Sequence, residues 1–62
     1  LKPDPAIYRL LLDRYGLAAR DCVFIDDSKA NVEGARSVGM HAIHYAEPMD
    51  LVAELRRHGF EV

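Results

Sequence analysis

Cysteine occurs once, basic residues form no stripe, and no apolar run approaches the ~18 residues that a membrane-spanning helix requires. With Cys22 alone no internal disulfide can form, so a soluble, reducing compartment, the cytoplasm, is the expectation, with no membrane partner. The eight Lys and Arg residues are scattered among ten Asp and Glu, for a formal net charge of −2, which argues against nucleic acid as a partner. No stretch has the layout of a secretory signal, and neither an internal repeat nor a low-complexity segment is present.

What is present is the composition of a folded segment. Half the residues are hydrophobic (50%) and 29% are charged, which excludes disorder by composition. The chain has 62 residues, and a domain of about that size buries only about 60% of the surface its unfolded chain exposes, so size leaves a thin margin for independent folding. The first residue is Leu1, and the opening reads as the end of a connection running straight into a helix start. A truncated or cleaved parent is the expectation.

Lys2-Pro3-Asp4-Pro5 supplies Asp4 as an N-cap and Pro5 as a first-turn residue with helical φ and no N–H to satisfy. Ile7, Leu10, Leu11 and, less centrally, Tyr15 recur at helical spacing as an apolar face, Arg9 and Asp13 lie on another, and Gly16 is the stop. Cys22-Val23-Phe24-Ile25 is a continuous apolar run, the pattern of a strand covered on both faces in a parallel sheet, with Cys22 as a small core residue. A second helix starts at Ser28 or just after, with Val32, Ala35 and Val38 on one stripe and Gly39 as its stop. Met40 to Tyr45 reads as the next strand, Ala46-Glu47-Pro48 as a turn, and Met49 or Asp50 as the start of a third helix. Leu51, Val52 and Leu55 face inward on that helix, which ends at Gly59. The order helix, strand, helix, strand, helix is that of βα crossover units. The predicted class is α/β, part of a doubly wound parallel sheet whose remaining strands come from elsewhere.

The chemistry is concentrated where the first strand ends. In open α/β sheets ligands bind at the carboxyl ends of strands, and Asp26-Asp27 follows the buried run directly. Two carboxylates about 4 Å apart repel by roughly 4 kcal/mol at an effective dielectric near 20, so the pair wants a cation, a proton or strong donors. Mg²⁺ fits, since it prefers hard oxygen ligands, takes one or two protein carboxylates and completes its shell with water and substrate phosphate. Helix capping is the alternative, though a cap needs one carboxylate and not two. Asn31 is placed to add an amide oxygen or to hold a metal-bound water. Lys2, before the prolines, is either a point charge for a phosphate or a solvated surface lysine.

Lys2 to Tyr8, then Val23-Phe24-Ile25-Asp26-Asp27-Ser28, Asn31 to Arg36 and Gly39-Met40 together resemble the third and fourth motifs of the haloacid dehalogenase-like hydrolases, over nearly the whole chain up to Tyr45. The likeness is greatest to the branch of sugar-phosphate phosphatases and epoxide hydrolase phosphatase domains. It implies that residues 1–62 are the C-terminal part of a Rossmann-like core, with the N-terminal part of the same protein and its cap missing. It implies Lys2 as the lysine balancing the nucleophile and the transferred phosphoryl group, Asp27 as the principal Mg²⁺ ligand, and Asp26, Asn31 and Ser28 as supporting positions. The family's mechanism uses an aspartate nucleophile and, two residues later, an aspartate acid/base, on a small phosphorylated metabolite. This chain contains no Asp-x-Asp pair; Asp4 and Asp13 stand at a helix start and within a helix. Alone it is expected to turn over nothing.

Rival readings are a non-catalytic scaffold or interaction module, a metal-free haloacid dehalogenase, to which an Asp-Asp pair is not needed, and a receiver-like signalling domain. The last requires an accepting aspartate on a later strand and a downstream lysine at a strand end, and the sequence after Asp27 has neither. His41 and His44, three apart on a strand, point to opposite faces and read as ordinary strand residues. Arg56, Arg57 and His58 complement the last helix's dipole. Oligomeric state has no signature in the sequence.

Overall fold

The computed structural model describes residues 4–62. Its elements run α1 (Pro5–Tyr15), a short 3₁₀ turn (Ala19–Asp21), β1 (Val23–Asp26), α2 (Lys29–Ser37), β2 (His41–His44) and α3 (Leu51–Arg57). The alternating order expected from the sequence is the order observed.

Local signals set each boundary. Asp4, Ser28 and Asp50 cap α1, α2 and α3, their side chains accepting from the backbone N–H of Ala6, Asn31 and Ala53. Each such cap typically stabilises a helix by about 1 kcal/mol. At the other end, Gly16 takes the left-handed conformation (φ 63°) and the Leu17 N–H reaches back to the Leu12 carbonyl at 2.8 Å, closing α1 in a Schellman motif. Gly39 (φ 90°) repeats the device, with the Met40 N–H on the Ala35 carbonyl. That turn aims the chain from α2 straight into β2.

β1 and β2 pair in parallel, Val23 with His41, Phe24 with Ala42, Ile25 with Ile43 and Asp26 with His44. α2 is the crossover between them. Phe24 and Ala42 occupy one face of the sheet and join the core formed by Tyr8, Leu12, Val32, Ala35 and Met40. Ala35 and Val32, 0% and 1% exposed, pack where α2 meets the strands. Tyr8 sets its ring edge-on to Phe24, with centroids 5.4 Å apart, and donates its hydroxyl proton to the Asn31 carbonyl at 3.0 Å. The α2 stripe of Val32 and Ala35 is thus buried as expected, with Val38 half-buried beside it.

Three expectations are corrected. On α1 the buried residues are Tyr8 and Leu12, while Ile7, Leu10, Leu11 and Tyr15 are exposed, Leu10 at 66%. Periodicity finds an apolar stripe, but here the stripe turned to the core lies one residue, about 100°, further round, where a tyrosine gains a packed ring and a hydroxyl partner. β1 is half-buried and Ile25 is 38% exposed, so this chain covers only one face of it well. On α3 no residue is fully buried and Val52 is exposed. Cys22 lies just before β1, half-buried against the core, its thiol 3.4 Å from the Ala18 carbonyl. Among the described residues no helix is long and apolar enough to cross a membrane.

Candidate functional site

The parallel register brings the carboxyl ends of β1 and β2 side by side, with Asp26 opposite His44. Only Asp27 and Ser28 separate β1 from α2, so the acidic pair is held at the rim by regular structure on both sides. Asp26 is half-buried and Asp27 is exposed.

Asp26 is fixed by its neighbours. Its Oδ2 accepts from the Ser28 backbone N–H at 3.3 Å, an Asx turn, and from the Asn31 side-chain amide at 2.8 Å. Ser28 in turn accepts the Asn31 N–H at its hydroxyl, 3.3 Å away, as the α2 cap. Asp26, Ser28 and Asn31 therefore form one hydrogen-bonded group. Asn31 acts through its amide N–H₂ on Asp26, a supporting contact, and its own carbonyl is held by Tyr8 from α1. Among the described residues no donor engages the Asp27 carboxylate or the Oδ1 of Asp26. Lys2 lies outside the described residues.

Two contacts from the last residue of β2 and the one after it had no local signal in the sequence. The Tyr45 N–H donates to the Asp26 carbonyl at 2.8 Å, and the His44 Nε2 lies 2.8 Å from the Asp27 carbonyl. Both pairs are far apart in sequence. Only the parallel register, which sets residue 44 beside residue 26, anticipates them.

The free oxygens here are hard carboxylate donors at a solvent-facing rim, the donor type Mg²⁺ takes. Nowhere among the described residues do three or more His, Cys, Asp or Glu side chains converge as a metal cluster. Asp26 and Asp27 thus fit part of a Mg²⁺ shell, of which only one or two protein carboxylates are usual. They do not fit a transition-metal cage of nitrogen and sulfur ligands. His41 points away to the other end of the sheet, its Nδ1 3.0 Å from that of His58 and its ring edge-on to Phe60.

Known proteins are similar to this chain in sequence. A phosphorylated carbohydrates phosphatase of Thermotoga maritima is 44% identical over 43 residues, covering 69% of this chain. Flavin mononucleotide hydrolase 1 of Arabidopsis thaliana is 34% identical over 61 residues, covering 98%. Acyl-CoA dehydrogenase family member 10 of Mus musculus is 41% identical over 54 residues, covering 87%. The chain spans 20%, 25% and 5% of the lengths of these relatives. Among solved structures, a HAD family enzyme of Bacteroides thetaiotaomicron, an aspartate-to-alanine mutant in complex with magnesium and inorganic phosphate, superimposes with a TM-score of 0.73 at 27% identity. The match covers 89% of this chain and 27% of that one, so the α/β arrangement with parallel strands is that of part of a HAD Rossmann-like core. A family profile described as haloacid dehalogenase-like hydrolase matches residues 1–39. With that match covering more than half its length, the chain belongs to the haloacid dehalogenase-like hydrolases.

Proposed function

We propose that these residues are the C-terminal part of the core of a cytoplasmic, Mg²⁺-dependent phosphohydrolase acting on a small phosphorylated metabolite. The observation that carries the reading is the pair Asp26-Asp27 at the carboxyl end of β1, one carboxylate anchored by Ser28 and Asn31 and the next exposed at the rim, without a partner among the described residues. Relatives named as phosphatases and a neighbour bound to magnesium and phosphate support the choice of a phosphate ester.

Asp27, with Asp26 beside it in sequence, would hold the metal, and Asn31 and Ser28 hold the Asp26 Oδ2 against the start of α2. When bound, Mg²⁺ neutralises charge on the phosphoryl oxygens and aligns them. By the family resemblance, Lys2 would supply the balancing positive charge. The nucleophilic aspartate and its acid/base partner belong to the N-terminal part of the protein. The first attacks phosphorus and expels the alcohol, which takes a proton from the second; that second aspartate then deprotonates the water that releases phosphate. Residues 1–62 alone lack both groups and are expected to be inactive.

The test is Asp27→Ala in the full-length protein. Loss of several kcal/mol of transition-state charge stabilisation predicts a fall in turnover of about a thousandfold, measured with Mg²⁺ titrated against a panel of phosphate monoesters. Unchanged turnover would remove the assignment, and a full-length protein with no phosphatase activity on any ester would leave the fold serving as a scaffold.

A further inference from the structure

Among the described residues the Asp27 carboxylate has no hydrogen-bond partner, and its side chain springs from a main chain that is itself held. That main chain is pinned from two sides. The peptide joining Asp27 to Ser28 offers its N–H to the Asp26 Oδ2 at 3.3 Å and its carbonyl to the His44 Nε2 at 2.8 Å. A peptide unit is planar, so holding both its oxygen and its N–H fixes the orientation of the whole plane and with it the backbone torsions on either side. The preceding carbonyl, that of Asp26, is held by the Tyr45 N–H at 2.8 Å. His44 and Tyr45, where β2 ends, therefore grip the consecutive carbonyls of Asp27 and Asp26, where β1 ends.

We infer that His44 is a positioning residue for the cation site: its Nε2–H, donated to the Asp27 carbonyl, orients the Asp27–Ser28 peptide and thereby presents both carboxylates to one ion. This rests on the reading of Asp26 and Asp27 as the Mg²⁺-binding pair. A carbonyl only accepts, so Nε2 must carry the proton, and the imidazole acts here as a rigid, exposed donor. The His44 contact is with the main chain, not with a carboxylate. The tight grip supplies what a short exposed loop lacks, a fixed backbone before the ligand arrives.

The experiment is Mg²⁺ binding to the full-length protein by titration calorimetry, for the wild type, His44→Phe, His44→Gln and Asp27→Ala. His44→Phe keeps a flat ring and removes the donor, and Mg²⁺ affinity is expected to fall about tenfold, the lower range for loss of an outer-shell partner. His44→Gln supplies an amide N–H at similar reach and should recover most of that loss. In the metal-free protein, exchange of the Ser28 amide hydrogen should speed up in His44→Phe, a change that a loss confined to catalysis would not produce. Unaltered affinity in His44→Phe, or His44→Gln as weak as His44→Phe, overturns the inference. If His44→Phe does not fold, nitrogen NMR of the wild-type imidazole decides instead, and a neutral ring with no proton on Nε2 overturns it. Asp27→Ala separates the two claims: lost Mg²⁺ binding there with normal binding in His44→Phe refutes only the role of His44, whereas retained Mg²⁺ binding in Asp27→Ala refutes the site itself.

Discussion

The two ends of the β1–β2 pair share one backbone ladder and differ in almost everything else. At the carboxyl end, Asp26, Asp27, Ser28, Asn31 and His44 make a rim of polar groups linked by hydrogen bonds, with carboxylate oxygens that have no partner among the described residues. At the amino end, His41 meets His58 and Phe60 edge-on, and the half-buried Cys22 packs against the core. The difference comes from the connections. β1 leaves its carboxyl end through only two residues before α2 begins, so its last side chains cannot be covered by their own loop. The chain returns to the amino end with α3 and the tail, where the Phe60 N–H closes the helix on the Leu55 carbonyl and Arg56 donates to the Val62 carbonyl. The strand end left by a short loop keeps Asp27 exposed, and the end met by the returning chain is packed against His58 and Phe60.

Substitutions can break this contrast in order of their expected effect. Tyr8→Ala comes first. It empties a buried ring beside Phe24 and removes the donor to the Asn31 carbonyl, so it should destabilise by about 3–5 kcal/mol and loosen the rim from below. Chemical denaturation of the full-length protein measures it, and a loss under about 1 kcal/mol would mean that α1 is not anchored there.

Asn31→Ala is next. A hydrogen bond to a charged group contributes about 1.5–3 kcal/mol, and the lower value is expected because the site is only half-buried. Mg²⁺ affinity should weaken with it, since Asp26 loses the donor that aims it. Stability lost with unchanged Mg²⁺ binding would make Asn31 a structural residue alone.

His58→Ala should have the smallest effect, about 0.5–1.5 kcal/mol for one side-chain hydrogen bond. Mg²⁺ affinity and turnover should stay at wild-type values. A matching fall in activity would show that the two ends are coupled and would remove the contrast.

Much of this was legible residue by residue. Asp4, Ser28 and Asp50 cap helices, and Gly16 and Gly39 end them, because capping depends on groups within a few residues of one another. The position of Asp26-Asp27 was equally readable, since a short apolar run followed by acids must place those acids at a strand end. The buried face of α1 was not readable: Ile7, Leu10 and Leu11 form the more apolar stripe, yet Tyr8 and Leu12 meet α2 and the strands. Nor was the part played by His44, a strand residue with nothing local to distinguish it.

By itself, the amino-acid order determined the run of helices and strands, their caps and stops, and the acidic pair that follows β1, all of them consequences of short-range torsional and hydrogen-bonding preferences. Only the tertiary structure decided which side of α1 is inside and which residue holds the Asp27–Ser28 peptide. Those choices depend on the parallel register, a long-range alignment that sets His44 against Asp26 across a whole crossover helix.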